Sequence, residues 1–149
     1  MDTTQTGATR AAMPLAELTE AESLRLLGAE QVGRLVYTRR ALPAVTPVNF
    51  ALHEGAIWIW TASTASMAQA VRGAAVAFEV DRIDETARDG WTVTFLGRAK
   101  LITDPAEQAR LAGLGIEPWA PGERNHFIKI VTEKILGRRI PHDENDEAE

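Results

Sequence analysis

The sequence predicts an α+β protein, mainly antiparallel β, in which about six strands form a barrel with short helices on its flanks. Three observations lead there. The segments VGRLVYT, AVTPVNFAL, IWIWT, AAVAFEVDRI, WTVTFLGRAKLIT and HFIKIVTEKILGRRI are rich in β-branched and aromatic residues and largely alternate in polarity, which suits pleated, half-buried strands. Most are separated only by short polar turns carrying Pro or Gly, so chain neighbours pair antiparallel, whereas parallel strands need long crossovers. No strand is followed by the Gly-rich fingerprint of a dinucleotide-binding βαβ unit, which removes a strict Rossmann sheet.

Residues 1–14 show little apolar periodicity and read as a flexible leader, with the domain placed at 15–140. Thr19 followed by Glu22 is a capping box, and Ala21, Leu24, Leu27 and Ala29 continue at helical spacing to an end near residues 28–30. VGRLVYT is the first strand, RRALP a turn and AVTPVNFAL the second strand. Pro47 cannot donate to a ladder, so it marks an edge, a bulge or a place where something other than a strand lies alongside. His53-Glu54-Gly55 turns the chain tightly into IWIWT. A hydroxyl-rich turn then leads to a short helix that ends at Gly73. AAVAFEVDRI and WTVTFLGRAKLIT are joined by the exposed segment DETARDG, and Gly97 marks a bulge or barrel bend. Asp104-Pro105 starts a third helix, a Pro- and Gly-dense loop follows, and HFIKIVTEKILGRRI supplies one or two last strands.

Composition narrows the chemistry. A chain of 149 residues at 45% hydrophobic content fits one core. There is no apolar run long enough for a membrane helix and no secretory signal pattern, so the expectation is a cytoplasmic protein with no membrane partner. Zero cysteines exclude disulfides, thiolate metal sites and a cysteine nucleophile. The net charge of −5 resides in residues 141–149, PHDENDEAE, which read as a disordered acidic tail. The rest is balanced and lacks the basic footprint of nucleic-acid binding. His53, His126 and His142 stand apart with no helical-spacing partner, so no metal site is expected.

The ordered set VGRLVYT, PAVTPVNFAL, IWIWTASTASMAQAVRG, AAVAFEVDRID, GWTVTFLGRAKLITDP and PWAPGERNHFIKIVTEKILGRRI resembles the FMN-binding split-barrel proteins of the pyridoxamine 5′-phosphate oxidase superfamily. It looks most like the small actinobacterial-type members, whose relatives include nitroimidazole reductases and deazaflavin-dependent reductases. The resemblance spans about residues 17–140. It implies a split barrel, a homodimer and a flavin across the subunit interface. It places the isoalloxazine ring on Thr46-Pro47-Val48-Asn49-Phe50, and the phosphate at the end of the third strand and the next helix. There Thr61 and Ser63 offer hydroxyls, Ser66 matches a Ser or Arg position, and Met67 falls where a lysine is usual. That departure removes a cation that would neutralise part of a phosphate, leaving Arg72, Arg98 or Arg124 as substitutes.

Two tryptophans join the implied site. Trp58 and Trp60 read as lying on alternate faces of their strand, one in the core and one at a subunit interface, while the resemblance favours interface packing for one and flavin-adjacent packing for the other, taken as Trp60. Trp119 of the Pro-rich loop covers the ring from the neighbouring subunit or else anchors its own loop. Glu79 and Asp81 share one face of the fourth strand, which reads as a solvated surface, and His126, beside Arg124, offers a contact for an anionic substrate or cofactor but reads first as structural. No catalytic side chain is singled out, since a flavin carries its own chemistry. The expected function is an FMN-dependent oxidoreductase acting on a small molecule. The alternatives are a deazaflavin-dependent reductase and a non-catalytic dimer that binds flavin or haem.

Overall fold

The structure, a computed structural model, describes residues 16–61, 66–116 and 126–140. In chain order these form β1 (Ala16–Glu17), α1 (Glu20–Gly28), β2 (Val32–Arg39), β3 (Leu42–His53), β4 (Ala56–Thr61), α2 (Ser66–Val71), β5 (Ala75–Asp84), β6 (Asp89–Ile102), α3 (Pro105–Leu111), a single 3-10 turn (Ala112–Leu114) and β7 (His126–Ile140). The strands order as β1-β7-β4-β3-β2-β5-β6, and β6 also pairs with β7, which closes six strands into an antiparallel barrel. The short β1 is bonded to the far end of β7. HFIKIVTEKILGRRI is thus one strand, not two.

Local chemistry places the boundaries. Thr19 caps α1: its hydroxyl accepts from the Glu22 backbone N–H at 3.1 Å and donates to the Glu22 carboxylate at 3.0 Å. Asp104 takes the extended N-cap conformation before Pro105, but its side chain makes no capping bond. The β2–β3 and β3–β4 hairpins turn on two residues each, Arg40-Ala41 and Glu54-Gly55, all four with positive φ. That is the turn whose twist matches paired strands. Arg40 and Ala41 adopt it without glycine, at about 1–2 kcal/mol per residue.

Alternate residues of each strand fill the barrel. Leu35, Phe50, Ile57, Ile59, Phe78, Val80, Val93, Phe95, Ile128 and Ile130 meet inside it, with Leu27 of α1 and Met67 and Val71 of α2 closing its ends. A smaller apolar cluster lies outside, where Trp58 and Phe127 meet Leu111 and Ile116. Gly97 does sit at a bulge: the β6–β7 register shifts between Leu96 and Gly97, and Glu133 of β7 is the unpaired extra residue. A Cβ on Gly97 would lie 2.9 Å from the Val131 carbonyl carbon, so only glycine lets the two backbones close there.

Candidate functional site

The barrel opens beside β3, and strand register explains why. The pair Arg39–Leu42 closes a two-residue hairpin, so Leu42, Ala44, Thr46 and Val48 turn their backbone groups to β2. The Phe50 N–H, two residues on, donates to Gln31 O at 3.1 Å and confirms that parity. Pro43, Val45, Pro47 and Asn49 therefore direct their backbone groups to the opposite edge. On that edge β4 pairs with β3 only from Phe50 to His53, and β4 then continues against β7 through Trp60–Phe127 and Thr61–His126. Among the described residues, no strand pairs with the outer edge of 42–49. Pro47 thus sits in an unbroken strand, opposite Arg34, and interrupts nothing. Its missing N–H falls on the open edge, which is where proline costs least.

A recess of about 180 Å³ lies at the inner end of this edge, lined by Gln31, Asn49, Phe50, Gly115 and Ile116. Of the five β3 residues expected at a flavin ring, three point their side chains into the barrel. Thr46 shares a 3.0 Å hydrogen bond with the Tyr37 hydroxyl, Val48 packs on the core, and Phe50 meets Phe78 edge to face with centroids 4.8 Å apart. Pro47 is exposed, and the Asn49 amide reaches Gln31 O at 3.5 Å. A ligand on this edge would meet mainly backbone and the Asn49 amide.

The second half of the expected site lies where β4 ends. Thr61 is buried and pairs with His126 on the inner side of the barrel wall, in line with Ile59 and Ile128. The His126 Nδ1 atom is buried there with no hydrogen-bond partner among the described residues. The sequence sets His126 beside Arg124 as a contact for an anionic ligand but favours a structural role, and its pairing with Thr61 joins positions 65 residues apart in the chain. Ser66 opens α2. Met67 packs in the barrel core at 8% exposure, so its side chain serves packing. Arg98 is drawn to Gly73 O at 3.4 Å and to Glu133 at 3.7 Å. Ser63, Trp119 and Arg124 lie outside the described residues.

The two tryptophans of β4 do not take opposite faces. Residues two apart on a strand share a face, and both lie on the outer cluster. Trp58 is buried, its indole N–H donating to His53 O at 3.1 Å with the Lys129 ammonium 5.0 Å above the ring. Trp60 is half-buried and stacks on Phe127 at 5.4 Å, nearly parallel. Trp91 enters the barrel core, as its strand position suggests.

The face carrying Glu79 and Asp81 is organised by a cation. Arg34 contacts Glu79 at 3.1 Å and Asp81 at 3.2 Å, and the Thr92 hydroxyl donates to Glu79 at 3.2 Å. Burial, then the neighbouring Asp81, push the Glu79 carboxyl above its ordinary value in spite of Arg34. Folded Glu79 therefore holds a proton at a pH where the unfolded chain has released it, and stability falls as pH rises through that interval. Glu79→Gln is expected to flatten this segment of the stability–pH curve, measured by urea melts from pH 4 upward. An unchanged slope would show that Glu79 is not perturbed.

A closed antiparallel barrel with a seam beside one strand defines the class of split-barrel proteins. The chain belongs to the pyridoxamine 5′-phosphate oxidase family, whose sequence profile matches residues 19–139. It is 37% identical over 139 residues to an uncharacterised protein of Mycobacterium tuberculosis, covering 90% of this chain and 91% of that one. A Corynebacterium glutamicum crystal structure, described as a candidate pyridoxamine 5′-phosphate oxidase, matches with TM-score 0.73 and 30% identity, over 88% of this chain and 97% of that one. An FAD-binding protein from Mycobacterium smegmatis matches with TM-score 0.71 and 26% identity, over 84% and 98% of the two chains.

Proposed function

We propose that this protein is an FMN-dependent oxidoreductase that works as a homodimer on a small molecule. The observation that carries the reading is the outer edge of β3 ahead of Asn49, a run of backbone groups beside a small recess, with no strand opposite among the described residues. A planar ring with polar atoms along one side suits such an edge, because backbone donors and acceptors can take the place of the missing strand. The M. smegmatis relative, an FAD-binding protein, supports a flavin of some kind.

In this reading Thr46-Pro47-Val48-Asn49-Phe50 holds the ring edge, with Phe50 and Ile116 keeping water from its inner side. Thr61, Ser63 and Ser66 take the phosphate. His126 adds a donor there, since its buried Nδ1 lacks one partner and a phosphate oxygen supplies it. Trp60 and Trp119 flank the ring. A bound flavin would supply hydride and electron transfer, and the protein would supply orientation and water exclusion. At about 180 Å³ the recess is below the ~300 Å³ where small-molecule sites begin, which supports completion by a second subunit. Leu42 and Val45, 68% and 60% exposed on the hairpin beside the edge, give that subunit apolar surface.

Titration of the purified protein with FMN, followed by visible absorbance and calorimetry, is expected to give saturable binding at about micromolar Kd or tighter. His126→Ala is expected to weaken FMN about tenfold and leave riboflavin, which has no phosphate, unchanged. FAD and a deazaflavin as competitors decide which flavin is preferred. Absence of any flavin heat or spectral change sinks the proposal.

A further inference from the structure

At the end of the barrel formed by the β5–β6 turn and the close of β7 lies an open cleft of about 810 Å³. Strand register arranges its polar side chains in two rows. Arg82 of β5 pairs with Trp91 of β6, and Trp91 pairs with Arg139 of β7, so two guanidiniums flank one indole on the same face of the sheet. Two residues nearer the turn, Asp84 of β5 stands directly opposite Asp89 of β6. All five line the cleft.

Each row is left with uncompensated charge. Arg139 is half-buried and has no hydrogen-bond or ion-pair partner among the described residues, whereas its neighbour Arg138 is drawn to Glu17 at 3.8 Å. Arg82 donates to both oxygens of Glu30 through Nε alone, at 3.0 and 3.1 Å. Its two terminal amino groups remain for the cleft. The indole N–H of Trp91, a residue 7% exposed, meets no acceptor among the described residues. In the other row, Asp84 is fixed by accepting the Thr86 and Ala87 backbone N–H groups at 3.0 Å each. No described ion pair supplies a cation to it or to Asp89. Like charges directly opposite on paired strands repel and destabilise the pair. A half-buried cation without an anion and a carboxylate pair without a cation each gain from a ligand of the opposite sign.

We infer that this cleft binds a small zwitterion, its carboxylate taken by Arg139 and Arg82 and its ammonium by Asp84 and Asp89. The rows are two residues apart along the strands, a separation of about 6.6–6.8 Å. The ligand is therefore a molecule whose two charges stand several bonds apart, such as an ω-amino acid or a dipeptide. The Trp91 ring, on the same face as both rows, takes its apolar middle. The carboxylates oppose phosphates and other polyanions, which distinguishes this cleft from a second flavin-phosphate site.

Calorimetry on the full chain, without flavin, with 6-aminohexanoate, hexanoate and hexylammonium as probes, decides the matter. The zwitterion is expected to bind at least about tenfold more tightly than either singly charged analogue. Arg139→Gln and Asp89→Asn are each expected to erase that difference. Asp89→Asn also relieves the facing carboxylates, so its melting temperature is expected to rise by about 1–3 °C. Equal binding of the three probes, or none up to about 20 mM, overturns the inference. So does a zwitterion preference that survives both substitutions, or a lowered melting temperature in Asp89→Asn.

Discussion

Val45→Pro is expected to leave the fold intact and to weaken FMN binding about tenfold or more, whereas Val48→Pro three residues away strongly destabilises the protein. The difference is parity. Val48 stands in the hydrogen-bonded register with Gly33, so its N–H belongs to the β2 ladder. Proline there removes that bond and sets its ring against β2, a loss of about 3 kcal/mol or more, or roughly 6–12 °C in melting temperature for a chain of this size. Val45 directs its N–H to the edge that no described strand covers. Pro43 and Pro47 already occupy the same side, two positions away in each direction, so the backbone there tolerates proline's fixed φ. What Val45→Pro removes is a donor available to a ligand. Circular dichroism melts and FMN titration of both variants check the result. If Val45→Pro binds FMN as the parent does, the flavin ring does not lie along this edge. If both variants melt alike, the register is different.

The second large effect couples the barrel core to the recess. Phe78→Ala is expected to cost about 3–5 kcal/mol, because the side chain is fully buried and leaves a cavity. Gly33→Ala is expected to cost about 1–3 kcal/mol in the parent protein. Its new Cβ would lie 2.6 Å from Phe78 Cε2 and 3.0 Å from Val80 Cγ2. In the double variant the alanine methyl enters the space vacated by the ring, so the two losses do not add, and the shortfall is expected to be about 1–3 kcal/mol. Denaturant melts of the four proteins give the cycle. Phe50, which lines the recess, loses its edge-to-face partner in Phe78→Ala, so FMN affinity is expected to fall in that variant. Strict additivity would mean that Gly33 is small for some reason other than the Phe78 ring.

The parts of the fold that were legible in the sequence are those written in local spacing. Period-two alternation marked the strands, the Thr19–Glu22 pair marked the start of α1, and glycine in an otherwise β-branched strand marked the bulge at Gly97. Reading Pro47 correctly needed one further step, counting outward from the hairpin at Arg40-Ala41 to learn which edge its nitrogen faces. The same counting puts Trp58 and Trp60 on one face, where the expectation of alternate faces had separated them. What no local rule contains is which distant residues become neighbours. Thr61 meets His126, and Trp91 meets Arg139, only through the way the sheet closes. Met67 shows the reverse limit, since its place in a phosphate turn looked chemical and its side chain is used to plug the barrel.

The part played by β7 has a bearing on how the protein is made. This one strand pairs with β1, β4 and β6, and its Ile130 pairs with Ile57, 73 residues earlier. During synthesis the β2–β3–β4 and β5–β6 hairpins leave the ribosome first, each able to pair locally, but both keep an unpaired edge until β7 emerges. Barrel closure is thus a late step limited by long loop closure, which favours slow folding. During that interval the apolar inner faces and strand edges stand open to other chains, the condition under which nascent β proteins depend most on chaperones.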